Sequence, residues 1–186
     1  MFSPMYFFKF YPAMIIDSWM IDTEFKMDFF WQAVAVGIGG TVVMDLWAFI
    51  QKKCLNIPSL NYALVGRWLL LMRKGKFFHS TIIQAAEQSG EKTIGWIAHY
   101  LIGIIFSVLL ILLKGDGWLQ DPTLWPAIMI GLVSVVAPFL LMQPCFGFGI
   151  AAAKTPAPWV ARRRSLVAHA SYGIGLWLSA LLLASA

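Results

Sequence analysis

Charge is scarce in this chain. Asp, Glu, Lys and Arg make up 12% of its 186 residues, about half the share of a soluble domain. Apolar residues make up 60%, so a water-soluble monomer of this size is excluded. Cysteine is nearly absent too. Cys54 and Cys145 cannot staple a disulfide-rich fold, and no C-x-x-C or H-x-x-H spacing offers a local metal site. Walker A, G-x-S-x-G, H-E-x-x-H and paired-carboxylate signatures are all missing, which lowers the expectation of an enzyme. Gly147-Phe148-Gly149-Ile150-Ala151-Ala152 has the form G-x-G-x-x-A, but it follows an apolar helix and no strand precedes it. Nucleotide binding there is rejected.

What is present is hydrophobic length. About 20 apolar residues suffice for a helix to cross a bilayer, where every backbone group must be satisfied internally. Segments 29–50, 94–113, 123–142 and 165–184 meet that need. The chain is therefore expected to be an all-α membrane protein with four transmembrane helices in a bundle, one domain over 29–186. Residues 60–72 are apolar but short and carry Arg67. They read as an interfacial or re-entrant helix with Ser59 as N-cap. Residues 1–28 hold Asp17, Asp22, Glu24 and Asp28 and have no signal-peptide order. Two readings stand for them: a surface helix, or an extension upstream of a functional start at Met27.

The cations set the expected orientation, because cytoplasmic loops retain Lys and Arg. Loop 51–93 carries Lys52, Lys53, Arg67, Arg73, Lys74, Lys76 and Lys92, and loop 143–164 carries Lys154, Arg162, Arg163 and Arg164. Only Lys9, Lys26 and Lys114 lie on the other side. Both loops are thus assigned to the cytoplasm of a bacterial inner membrane, and both termini to the periplasm. The net charge of +5 then reflects this bias and an affinity for anionic lipids on the cytoplasmic side, with no nucleic-acid partner. Both cysteines fall on that side, where thiols stay reduced. Trp31, Trp96, Trp118, Trp125 and Trp159 read as interface anchors, and His79 as a solvated or lipid-facing side chain.

An internal echo links the two halves. Ala98-His99-Tyr100-Leu101-Ile102-Gly103-Ile104 and Ala168-His169-Ala170-Ser171-Tyr172-Gly173-Ile174 both read A-H-x-x-x-G-I, and a looser match joins the stretches that begin at Gly37 and Gly131. This pattern suggests two tandem helical hairpins. Three ionisable residues fall inside the spans: Asp45, His99 and His169. With helices one inward and two and four outward, they would share a layer about 6–8 Å below the cytoplasmic boundary. Small residues recur on their faces: Ala33, Gly37 and Thr41 before Asp45, Gly95, Gly103 and Ser107 around His99, and Ser165 and Gly173 around His169. Such stripes mark close helix contacts. Pro138 should kink helix three. Arg67 sits among leucines on its helical wheel, and Asp45 is the nearest obvious anion for it.

Gly37 through Asp45-Leu46-Trp47, Ile57-Pro58-Ser59 through Gly66-Arg67-Trp68, Gly95-Trp96-Ile97-Ala98-His99-Tyr100, and Ala137-Pro138-Phe139 through Gln143-Pro144 to Lys154-Thr155-Pro156 resemble the bacterial inner-membrane family known as domain of unknown function 2938. The resemblance covers about residues 30–184. It implies a small multi-pass protein and no activity.

Three readings of the layer stand side by side. Asp45, Arg67, His99 and His169 form a site for a small solute, ion or proton, in a carrier or an accessory subunit of a larger membrane complex. No cofactor is required by that reading. Alternatively His99, His169 and Asp45 hold haem iron or a transition metal in a redox subunit. Or the polar residues are packing glue in a structural or assembly factor. Four helices enclose little volume, so transport would call for a homodimer.

Overall fold

The computed structural model describes the backbone of residues 12–115 and 117–185, with side chains from residue 29 onward. It is all-helical, with no strand among the described residues. α1 (Pro12–Leu55) is followed by α2 (Ala63–Met72), α3 (Glu91–Lys114), a short α4 (Gly117–Gln120), α5 (Leu124–Val133), α6 (Gln143–Cys145) and α7 (Pro158–Ala184). Four stretches are long and apolar enough to cross a membrane: Phe29–Leu55, Glu91–Lys114, Leu124–Cys145 and Pro158–Ala184. Residues 1–11 of the N-terminal extension lie outside the described residues; the backbone of 12–28 is the start of α1.

The helices run further than hydropathy alone suggests. α1 continues through Lys52 and Lys53, and α7 starts seven residues before the expected boundary, taking Arg162, Arg163 and Arg164 into its first turns. Charge ends an apolar run, yet it does not end a hydrogen-bonded ladder, because long cationic side chains reach the interface from within a helix. Pro158 occupies the first turn of α7, where a missing N–H costs nothing. α2 begins at Ala63, not at Ser59: the Asn61 Oδ1 accepts the Ala63 N–H at 3.1 Å.

Pro138 interrupts the third span as expected. The Ser134 carbonyl would meet position 138 in an α-helix, but proline has no N–H, so Ala137 donates to it instead at 3.2 Å. A π-helical stretch, Ala137–Met142, carries the chain on to α6. Such wider turns re-aim side chains that a straight helix would point elsewhere.

Glycine sets the helix crossings. A Cβ on Gly37 would come within 2.7 Å of the Ile104 Cα, and one on Gly131 within 2.8 Å of the Gly173 Cα. The aligned glycines of the two halves thus serve the same contact, α1 on α3 and α5 on α7. Ala33 and Ala127, one turn away, are both fully buried. The pairing between halves is not equivalent. α1 and α7 pack tightly, with a Cβ on Gly175 only 2.7 Å from the Gly40 carbonyl, whereas α3 and α5 touch only lightly. That missing contact leaves a cavity.

A second core lies at one end of the spans. Val65, Trp68, Leu71, Ile82, Cys145 and Phe146 form it, so the two long loops and α2 make one packed layer over that end.

Candidate functional site

The cavity has a volume of about 100 Å³ and touches all four spans. Thr41 and Met44 face it from α1, His99 and Gly103 from α3, Ser134 and Pro138 from the third span, and His169 and Tyr172 from α7. Leu60 and Tyr62 reach it from the segment before α2. The lining is mostly apolar, with the two imidazoles as its principal polar groups. Tyr172 crosses the interior to donate its hydroxyl to the Gly103 carbonyl, so it braces α7 against α3.

Asp45 stands behind His99. It lies ten residues before the end of α1, His99 eight after the start of α3, and His169 eleven after the start of α7. At 1.5 Å per residue these are distances of about 12–17 Å along each helix from its end. His99 touches Asp45 and shares a cavity with His169. Asp45 Oδ1 accepts from His99 Nε2 at 3.1 Å and from the Tyr62 hydroxyl at 3.3 Å, while its Oδ2 accepts from the Tyr100 hydroxyl at 3.1 Å. The carboxylate is 20% exposed and the imidazole 12%. Tyr62 also stacks on the His99 ring, with centroids 4.0 Å apart and planes at 21°. Burial first, and then the charge of Asp45, push the Tyr62 hydroxyl well above its ordinary range, so it stays a donor.

Close backbone approach makes that stack. Gly66 and Gly95 bring α2 and α3 together so tightly that a Cβ on Gly95 would collide with the Tyr62 carbonyl. Tyr62 and Tyr100 are the members of the site that the intramembrane ionisable residues did not point to. The one available signal was Tyr100 beside His99 in sequence.

The proton positions follow from counting donors. A carboxylate only accepts, so His99 Nε2 carries a hydrogen and its Nδ1 lone pair is bare when the ring is neutral. Ser134 Oγ donates its single proton to the Gly131 carbonyl at 2.6 Å. It must then accept from His169 Nδ1, also at 2.6 Å, which leaves His169 Nε2 bare. Neither bare nitrogen has a partner among the described residues. The cavity is therefore bordered by two histidines, each with one nitrogen fixed and one free.

Arg67 is not part of this layer, and its expected pairing with Asp45 does not occur. Its Nε and Nη2 bind Glu91 Oε2 and Oε1, both at 2.8 Å. Nη1 donates to the Ala85 carbonyl at 2.9 Å, and Glu87 adds a carboxylate 3.4 Å away. Glu91 is an anion at the very start of α3, and it is nearer to α2 than the mid-span Asp45. The hydrogen bonds that Arg67 donates to Glu91 raise its pKa, outweighing the burial that would lower it. This ion pair is a fastener between α2, α3 and loop 82–91.

No group of three His, Cys, Asp or Glu side chains is placed to hold a metal ion among the described residues. Asp45, His99 and His169 do not gather as a metal set. His79 is half-buried, not solvated, and its Nε2 has no partner. Trp118 is buried too and donates to the Thr123 carbonyl at 3.2 Å, whereas Trp125 and Trp159 are exposed. Cys54 is exposed and Cys145 buried, both as free thiols.

A family model described as "Protein of unknown function (DUF2938)" matches residues 34–183. No curated protein and no solved structure matches the chain. The chain belongs to the DUF2938 family.

Proposed function

We propose that this member of a family of unknown function is a bacterial inner-membrane protein that handles protons or a small hydrogen-bond-donating solute, alone or as an accessory subunit of a larger complex. Its spans form a bundle around the cavity, with both termini in the periplasm and loops 51–93 and 143–164 in the cytoplasm. The cation count of those loops supports this orientation. One observation carries the functional reading: His99 and His169, each with one ring nitrogen hydrogen-bonded and the other without a partner among the described residues, border one cavity between four spans.

The chemistry follows from what each ring can take up. A proton arriving on His99 makes an imidazolium held at 3.1 Å by Asp45, whereas His169 has the neutral Ser134 hydroxyl beside it and no carboxylate. His99 is then the proton-holding member and His169 the partner that gives or receives. Carboxylate–histidine pairs are recurrent proton relays inside membranes. Tyr62 and Tyr100 orient the carboxylate, and the mostly apolar lining keeps bulk water sparse.

The rival reading is polar glue, favoured by the three hydrogen bonds that Asp45 already accepts. Vesicles that contain a pH-sensitive dye separate the two. Wild-type protein should dissipate an imposed pH gradient faster than protein-free vesicles, and His169→Ala should slow it while the thermal unfolding midpoint stays nearly unchanged. Glue predicts no flux in any variant and a stability loss in each.

A further inference from the structure

We propose that segment 73–83 is a membrane-surface anchor that lays Phe77, Phe78 and Ile83 into the headgroup region of an anionic leaflet. The proposal rests on the chain crossing a membrane and is independent of the polar site. Phe78 is 76% exposed, Ile83 62% and Phe77 48%, a concentration of bare apolar surface outside the spans. Scattered exposed apolar residues need no explanation, but a contiguous stretch with basic neighbours does. Those neighbours are Arg73, Lys74 and Lys76, all exposed; Lys74 also reaches Gln88 Oε1 at 2.7 Å.

The segment is aimed, not loose. Gly75, at φ +74°, ends α2: Lys76 N–H returns to the Leu71 carbonyl at 3.1 Å and Gly75 N–H to Met72 at 2.9 Å. This is the glycine-closed terminus that sends the following residues away from the helix. The Trp68 indole then holds the Phe77 carbonyl at 2.9 Å. His79 N–H binds the Cys145 carbonyl at 2.9 Å, and Ile82 N–H binds Phe146 at 3.0 Å. Ile82 is wholly buried beneath, while its neighbour Ile83 points out.

Depth identifies the occupant. Cys145 is the last residue of the third span, so the residue bonded to it, and Phe78 beside that residue, lie at the level where hydrocarbon gives way to headgroups. Aromatic rings favour that level, and cations beside them favour anionic lipid, by roughly 1 kcal/mol per Lys or Arg near the surface, a factor of about 5 in binding. A soluble protein partner would need this face to stand clear of the bilayer.

The test places an environment-sensitive dye on Phe78→Cys in a Cys54→Ser background, with buried Cys145 retained. The labelled protein goes into vesicles of phosphatidylcholine, with or without phosphatidylglycerol. Quenching by nitroxide lipids, stronger with phosphatidylglycerol and lost in an Arg73→Gln, Lys74→Gln, Lys76→Gln variant, supports the anchor. Free quenching by aqueous iodide with none from nitroxide lipid overturns it. So does self-quenching that rises with protein density, which would assign the face to a second copy. Hydrogen exchange of the unlabelled protein in nanodiscs of the same compositions reads the contact without a label: slower exchange over 76–81 with phosphatidylglycerol supports it, and equal exchange overturns it.

Discussion

Two acids, Glu91 buried and Asp45 partly buried, meet the same stripe of α3 and are treated differently. Glu91 begins the stripe and Asp45 docks on it two turns later at His99, with Gly95 between. Glu91 has a permanent cation: both its oxygens are taken by Arg67, and Oε2 also accepts the Gln88 N–H at 2.9 Å. Asp45 has no Arg or Lys within ion-pair distance among the described residues. Its carboxylate is met instead by an imidazole and two phenols, none of them a permanent cation. A fixed counter-charge builds a joint, whereas Asp45 is held by neutral hydrogen-bond donors and an imidazole that lines a cavity. The contrast separates scaffold from site better than burial does, since both acids are shielded.

The largest expected effect breaks the joint. Arg67→Ala leaves Glu91 as an uncompensated buried charge and should cost about 3–5 kcal/mol of stability in detergent unfolding. Arg67→Leu with Glu91→Leu should recover most of it, because apolar replacements of an ion pair remove the stranded charge. Wild-type stability should also not fall across the neutral and mildly alkaline range on account of this joint. The Arg67 pKa is raised, so its contribution is complete below the ordinary arginine value and is lost only as pH climbs through the higher, folded one.

Gly95→Leu is next. The side chain would strike the Tyr62 carbonyl, pry α2 from α3 and cost about 1–3 kcal/mol. It should also unstack Tyr62 from His99, read as altered near-ultraviolet circular dichroism. Asp45→Asn should cost about 1 kcal/mol, the scale of a hydrogen bond inside a membrane, while function drops far more. The smallest effect belongs to Tyr62→Phe, which loses one 3.3 Å hydrogen bond and keeps the stack, for about 0.5 kcal/mol measured by thermal unfolding.

The four spans were legible because the bilayer demands long apolar runs, and the family was legible in motifs that stand in order along the chain. The nearness of Asp45 to His99, and of His99 to His169 across one cavity, agrees with the helix-rise arithmetic, since the rise per residue is constant. Arg67 was misassigned for a physical reason: its wheel position showed that it was buried, but not that loop 82–91 folds back to place Glu91 against it. That return depends on tertiary hydrogen bonds such as Arg67 to Ala85, which leave no periodic trace. Tyr62 was hidden likewise, in a short segment whose position depends on two glycines 29 residues apart, Gly66 and Gly95. The uneven packing of the two hairpins, which opens the cavity, was also unreadable: the aligned motifs are alike, and the difference lies in which helices touch.

The proposed proton handling by Asp45 and His99 is tested most directly by proton flux through purified protein in dye-loaded vesicles, wild type against Asp45→Asn, with folded fraction measured in the same preparations. The account predicts that wild type collapses a pH gradient and that Asp45→Asn loses at least ten-fold in rate, roughly the factor that about 1.4 kcal/mol represents, while remaining folded. Asp45→Asn conducting as fast as wild type, or wild type no faster than empty vesicles, would contradict it.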